Sequence, residues 1–379
     1  MAKMAKKQSA KAVIIFSTAY LPLASGAELA IQEVTDRIGD LDFFLFTCRM
    51  DRRYPARERI GNVEVRRLGL GVPFVDKLLA PMLGMHAARQ IMREHEVRMF
   101  WGVMVSYMTL VPPLLKRLRL DKGIPFLLTL QEGDSEEYLR HARAGLIGFS
   151  WRFALRHATR VHAISMYLMH LAKYFGYLGP VVVIPNGVAT DVFMPHERTG
   201  PSYVVITTSR LVKKNGIDVL IHAIAEVEKR YPDVICRIVG DGVLRRDLEA
   251  LVHSLGLSGK VLFRGALPFS LIHKELATAD VFVRPSRSEG LGTSFLEAMA
   301  AGLPVVATKV GGIEDFLSDG ITGLFANTED PHDVAEKIMM LFADHALYAS
   351  LAAAARTRFV ESYSWDHVAS QMEALMKEL

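Results

Sequence analysis

Apolar residues recur along this chain in short runs separated by amphipathic stretches, and the series runs twice. In the first half, Val13–Phe16, Phe43–Cys48 and Val63–Leu68 read as strands. A turn-rich loop, Tyr20–Ala27, and a helix, Glu28–Ile38, lie between the first two. Helical spacing follows over Lys77–His95, Pro113–Arg119 and Tyr138–His157. Strands are predicted at Met99–Val105, Phe126–Leu130, Val161–Ile164 and Val181–Ile184. Thr190–Tyr203 carries Pro195, Gly200 and Pro201 and has no apolar period, so it is the predicted linker. The second series has strands at Val204–Thr208, Val234–Val239, Val261–Phe263 and Val281–Val283. Its helices are Val219–Arg230, Leu244–Leu255 and Leu271–Thr278. No internal repeat, heptad array or low-complexity tract interrupts either series. Strands alternating with helices imply a parallel sheet covered on both faces. The fold class is therefore α/β, with two Rossmann-like domains facing a cleft and the ligand at the carboxyl ends of the strands.

Length and composition agree. With 379 residues the chain is long enough for two or three domains. Half its residues are hydrophobic and 23% are charged, a globular balance. No apolar run approaches the ~18 residues of a membrane span. Cys48 and Cys236 stand far apart in strand-like runs, which argues for a reducing compartment and against a disulfide or zinc framework. Lys3, Lys6, Lys7 and Lys11 ahead of Ala12–Phe16 outline a signal peptide. The apolar core breaks at Ser17 and Thr18, so a first buried strand is the favoured reading. Charge is unevenly placed. Through Pro185 there are 26 Lys and Arg against 16 Asp and Glu; from Asn186 onward there are 19 against 25. A basic first half and an acidic second half suggest two domains with different partners.

The most informative segment runs from Ser288 to Val306. Glu289 and Glu297 stand eight positions apart, with Gly290 and Gly292 after the first. The glycines forbid one continuous helix, so Glu289 belongs to a loop and Glu297 to the first turns of the next helix. A loop-to-helix junction exposes backbone N–H groups at the positive end of a helix dipole, which suits a phosphate. Two nearby carboxylates suit sugar hydroxyls. Ser294 with Glu297 also has the spacing of a helix capping box. Glu289 has no such structural partner in the sequence and is the cleaner probe of function. A second segment, Ser209–Ile221, opens at the end of a strand, where Arg210 offers a fork of donors to phosphate oxygens.

The first segment resembles the donor-binding signature of the retaining glycosyltransferases of family 4, which have the GT-B fold. It has both glutamates, then Ala298-Met299-Ala300, Gly302 and Pro304-Val305-Val306. The resemblance covers nearly the whole chain. It implies an acceptor-side domain over 1–189, a linker over 190–202 and a nucleotide-sugar domain over 203–358. The helices of about 359–379 would pack back on the first domain. It further implies that Arg210 and a following lysine hold the donor's diphosphate as leaving group, that Glu297 holds the ribose and that Glu289 touches the transferred sugar. The N–H groups of Gly292, Thr293 and Ser294 would add donors. Gly26, in the small-residue loop Ser25–Glu28, and Gly240, in the strand-end turn Gly240-Asp241-Gly242, would approach the diphosphate and the nucleotide. Ile184–Val188 and Val310–Leu317 with Gly323 fit the same template. The chain departs from it at three places. Asn215 stands where the family has lysine, with Lys214 one position early. Ser25 replaces a glycine. Gln131 replaces a histidine at the end of a first-domain strand, with Glu132 and Asp134 beside it as loop charges.

The resemblance implies transfer of a hexose-type sugar from a UDP- or GDP-linked donor to a hydroxyl acceptor, with retention and without cofactor or metal. Attack comes from the same face and the leaving phosphate takes the proton. Alternatives are a nucleotide-sugar epimerase or hydrolase of this shape, and a non-catalytic nucleotide-sugar or membrane-binding module. Asp40-Leu41-Asp42 has a metal-binding spacing but reads as a solvated strand entry. Arg140, His141, Arg143, Arg152, Arg156, His157 and Arg160 surround the apolar, aromatic stretch Leu146–Leu155, and Lys116–Lys122 adds charge. This suits an anionic membrane surface and a lipid-linked glycan acceptor. An ordinary buried helix with a basic outer face is the other reading. The expected location is cytoplasmic, peripheral on the inner face of the plasma membrane. Nucleic acid is not an expected partner, since no recognition motif or aromatic platform accompanies the basic excess.

Overall fold

Strand burial explains the sheets. In the computed structural model, which describes residues 11–23, 26–195 and 202–379, Ala12 to Phe16 are wholly buried. An apolar run with no polar alternation has both faces covered, as central parallel strands do. Lys3, Lys6, Lys7, Ser25 and positions 196–201 of the expected linker lie outside the described residues.

The chain divides into two units. One comprises residues through Glu132, Glu136–Pro185 and Asp366–Leu379. Its strands are β1 (Lys11–Phe16), β2 (Leu41–Cys48), β3 (Arg57–Ile60), β4 (Val63–Leu68), β5 (Val97–Val103), β6 (Phe126–Leu130), β7 (Arg160–Ala163) and β8 (Val181–Val183). They lie in the order β3-β4-β2-β1-β5-β6-β7-β8, and every pairing is parallel except β3 with β4. The sequence pattern missed β3. Its four residues, Arg-Glu-Arg-Ile, carry no apolar alternation, and charge is what protects a sheet edge. The pattern also joined two helices, Glu136–His141 and Leu146–His157, into one. The break is a left-handed run at Arg143, Ala144 and Gly145. The helix Met166–Tyr174 was missed as well. It starts where Ser165 Oγ accepts the Leu168 N–H at 3.2 Å.

One set of buried polar groups inside this unit is satisfied as a chain. Trp101 Nε1 donates to Thr129 Oγ1 at 2.8 Å, Thr129 Oγ1 meets His162 Nδ1 at 3.0 Å, and His162 Nε2 meets the Ile184 carbonyl at 2.8 Å. A carbonyl can only accept, so Nε2 carries the proton and Nδ1 accepts from the threonine hydroxyl. Glu132 is no loop charge: it is buried, and its carboxylate accepts the backbone N–H of Gln131 at 2.9 Å and that of Val105. Asp40 and Asp42 are exposed at the entry to β2, as expected. Cys48 and Cys236 are free and buried.

The other unit comprises Gly133–Ser135 and Asn186–Trp365. Its strands are β9 (Val204–Thr208), β10 (Ile235–Val239), β11 (Val261–Gly265), β12 (Val281–Arg284), β13 (Val305–Thr308) and β14 (Leu324–Ala326). The order is β11-β10-β9-β12-β13-β14, all parallel. The amphipathic helix Ile217–Arg230 packs its buried face into this unit's core with Cys236, Ile238 and Ile338. Strand order reverses between β9 and β12. Chain leaving their carboxyl ends runs to opposite sides and opens a crevice there. From Asp366 the last helix, Trp365–Lys377, belongs to the first unit, where Arg37 Nε bonds Asp366 at 2.7 Å and Arg98 Nε bonds the Met376 carbonyl at 3.0 Å.

Burial pushes the His162 imidazole down from about 6.5 to about 4, against the pull of the Ile184 carbonyl. The unfolded chain therefore binds the proton first, and this group's contribution is complete above about 6.5 and lost as pH falls towards about 4. Thermal denaturation of wild type and His162→Gln across that window is expected to show wild type losing stability relative to the variant on acidification.

Candidate active site

The site is built on a buried cation that the sequence reading missed. β12 is apolar until its last residue, Arg284, which is 5% exposed. Its guanidinium donates from Nη2 to Glu289 Oε2 at 2.6 Å and from Nη1 to Ser294 Oγ at 2.7 Å. It also donates to the Thr208 carbonyl at 3.3 Å and from Nε to Ser286 Oγ at 3.2 Å. Its carbon end lies over the Phe295 ring, 4.2 Å from the centroid. Desolvation lowers the Arg284 pKa, Glu289 and Glu297 favour its charge, and Arg210 opposes it. The available signal was the pattern itself: an arginine ending an apolar strand needs a carboxylate nearby.

Glu289 is therefore not the structurally free side chain expected. Its Oε2 meets Arg284, its Oε1 accepts the Gly290 N–H at 3.0 Å, and its backbone carbonyl accepts the Gly312 N–H at 3.2 Å. Gly311 sits against that carbonyl with φ 58°, and a Cβ there would collide with it. Replacing Glu289 by alanine would leave a buried guanidinium without its ion pair, so activity and stability would change together.

The capping box is not formed. The helix Thr293–Ala300 starts from Gly292, whose φ of 87° is left-handed, with no side-chain cap. Ser294 instead accepts from Arg284, and Glu297 is buried. Burial pushes the Glu297 carboxyl up to about 7, with Arg284 pulling the other way. With no side-chain cap ahead of the first turn, the N–H groups of Thr293 and Ser294 lie where a helix attracts anions.

Arg210 follows β9, is exposed, and its side chain makes no hydrogen bond or ion pair among the described residues. Asn215, in the lysine's place, is buried and donates from Nδ2 to the Arg210 carbonyl at 2.6 Å. The amide thus shapes the loop that carries Arg210. Lys214 Nζ lies 3.1 Å from Asp134 Oδ1, and a Cβ on Gly133 would meet both that Nζ, at 3.0 Å, and Glu289 Oε1, at 3.2 Å. Arg287, also missed, clamps this loop to the one after β12: it bonds both oxygens of Asp218 at 2.9 and 2.8 Å, and its backbone N–H bonds the Lys214 carbonyl at 2.7 Å. Gly240 follows β10, where a Cβ would collide with the Ser209 carbonyl. Arg210, Gly240, Glu289, Gly292, Thr293, Ser294 and Glu297 thus share one sheet end. Gly26 begins the helix Gly26–Arg37 in the first unit.

In the first unit, the helix Leu146–His157 buries Trp151, Ala154 and Leu155. Phe149, 64% exposed, turns outward with Arg152 and Arg156. With Arg117, Tyr177 and the 98%-exposed Leu178 they line a hollow of about 990 Å³. Among the described residues no single helix is long and apolar enough to cross a membrane, and no group of three His, Cys, Asp or Glu side chains is placed to hold a metal ion.

The chain resembles known proteins over both units. The family model for glycosyl transferases group 1 matches residues 189–358, and that for the glycosyl transferase 4-like domain matches residues 25–187. The GDP-mannose-dependent alpha-(1-6)-phosphatidylinositol monomannoside mannosyltransferase of Mycolicibacterium smegmatis is 30% identical over 73% of this chain and 75% of its own. Among solved structures, sucrose-phosphate synthase from Thermosynechococcus elongatus superposes with a TM-score of 0.86 at 22% identity, over 97% of this chain and 98% of that one. Anabaena HepE in complex with UDP and glucose gives 0.76 at 20%, over 97% of this chain and all of that one. The structural likenesses bear out the expected GT-B class of two parallel-sheet α/β units.

The raised pKa of Glu297 carries a sign opposite to that of His162. The folded protein holds this proton more tightly than the unfolded chain, so the group's contribution is complete below about 4.5 and lost as pH rises through about 7. Against Glu297→Gln, wild type is expected to lose relative stability as pH rises across that window, read by denaturation midpoints.

Proposed function

The chain belongs to the glycosyl transferases group 1 family, and on that premise we propose that it moves a hexose-type sugar from a UDP- or GDP-linked donor to a hydroxyl acceptor with retention. The observation that carries this reading is the convergence, at the switch point of one parallel sheet, of an unpaired arginine, an uncapped helix start and two carboxylates. Arg210 and the N–H groups of Gly292, Thr293 and Ser294 bind the diphosphate. Lys214 joins them by exchanging Asp134 for phosphate. Glu297 receives the ribose hydroxyls and Glu289 those of the sugar. Gly240 gives the nucleotide close access to the backbone.

Breaking the bond from the anomeric carbon to the diphosphate leaves charge on a phosphate oxygen. Preorganised cations and N–H donors stabilise that charge, so no metal is required in this reading. The acceptor hydroxyl attacks from the same face, and its proton passes to the departing phosphate oxygen. The Mycolicibacterium relative is named for GDP-mannose and a phosphatidylinositol mannoside, and HepE was solved with UDP and glucose. A lipid-linked acceptor agrees with the exposed Phe149 and Leu178 among Arg117, Arg152 and Arg156. We place the protein on the cytoplasmic face of an anionic membrane on that ground.

Two measurements test this. Arg210→Ala is expected to keep its fold and lose about 100-fold or more in transfer rate. Near-normal transfer in that variant removes the assignment. In a thermal-shift panel, uridine or guanosine diphosphate should raise the melting temperature of wild type while adenosine diphosphate does so less. Separately, the protein should sediment with vesicles containing anionic lipid at low salt and be released as salt rises. No binding at low salt ends the membrane claim.

A further inference from the structure

We propose that Arg284 is a positioning residue that fixes the Glu289 carboxylate for the hydroxyls of the transferred sugar. The proposal rests on the reading of this sheet end as the nucleotide-sugar site. Nothing in the chain's resemblance to its relatives assigned Arg284 a part. Its claim comes from where its donors go.

A guanidinium has five N–H groups in a rigid fork. Here four hydrogen bonds from that fork end on protein: Ser286, Thr208, Ser294 and Glu289. One face is covered by Phe295. A group so engaged and 5% exposed does not itself bind a diphosphate; it acts through what it holds. What it holds is the Glu289 carboxylate, gripped from both sides, with Oε2 on Arg284 and Oε1 on the Gly290 N–H. Each carboxylate oxygen has two acceptor sites, so one on each remains for sugar hydroxyls, in directions the grip determines. The same guanidinium anchors Ser294 in the first turn of the helix Thr293–Ala300. Glu297, the other carboxylate in its field, is pushed towards neutrality by burial, which leaves Glu289 as the main counter-charge.

The test uses the full chain and four variants: Arg284→Gln, Arg284→Lys, Glu289→Gln and the double Arg284→Gln/Glu289→Gln. Affinities for UDP, GDP, UDP-glucose and GDP-mannose are measured calorimetrically. Turnover is read as nucleoside diphosphate released from whichever sugar donor wild type binds. Arg284→Gln and Glu289→Gln are each expected to cut kcat/KM by about 100-fold through misplacement of the sugar contact. Affinity for the bare nucleoside diphosphate should change by less than about threefold, well under the shift a lost phosphate contact produces. The double variant should be no worse than Glu289→Gln alone, since both act through one carboxylate. Arg284→Lys keeps the charge without the fork and should fall between wild type and Arg284→Gln.

Unchanged turnover in Arg284→Gln overturns the proposal. So do equal losses for bare and sugar-linked nucleotides, or losses that multiply in the double variant. If Arg284→Gln does not fold, Arg284→Lys carries the same comparison. If neither folds, Arg284 supports the sheet rather than Glu289, and the proposal is overturned. Normal turnover in Glu289→Gln instead removes the underlying reading of the site, whatever Arg284 does.

Discussion

A guanidinium taken out of water has to be met by hydrogen bonds and by negative charge, or the fold that buries it is destabilised. Arg284 imposes that requirement at the centre of the second unit. Its partners come from four places in the chain: the end of β9, the loop after β12, the Glu289 turn and the first turn of the following helix. Satisfying one side chain therefore assembles the sheet end. The glycines serve the same arrangement. Gly292 starts a helix where no side chain can stand in front of it, and Gly311 lets the chain lie against the Glu289 carbonyl.

Sheet order supplies the place, and local sequence supplies the chemistry. β9 and β12 are neighbours, yet 72 residues separate the end of one from the start of the other. Arg210 and Glu289 meet in one field because the strand order reverses between them. Departure from the family pattern at Asn215 is absorbed locally. Its amide turns inward to the Arg210 carbonyl, so a residue that contributes no charge still shapes the loop that does.

Much of this was legible in the sequence because periodicity reports burial. β4, β6 and β9 match their apolar runs residue for residue. The failures have physical causes of their own. β3 is a charged edge strand, so its residues carry no core signal. The false single helix over Tyr138–His157 contains a left-handed run that amphipathic spacing cannot register. At the site, motif spacing found both glutamates but misjudged what surrounds each. Ser294 and Glu297 have capping-box spacing, yet a buried arginine from another element claims the serine. Glu132 looked like a loop charge because nothing local reveals that Val105, on another segment, offers it a buried N–H. Tertiary partners of polar groups are what pattern reading cannot supply.

The buried pair of Arg284 and Glu289 also constrains how this protein can change over generations. Replacing either residue alone strands a charge in the interior, whereas replacing both with neutral side chains of similar volume removes the demand altogether. Single steps away from the pair carry a cost in stability that a joint step avoids, while the activity that depends on Glu289 is lost either way. A descendant lineage should therefore keep the two residues together or lose them together. In a collection of natural variants, the presence of arginine at position 284 would then mark the sequences whose glutamate at 289 is bound by architecture as well as by chemistry.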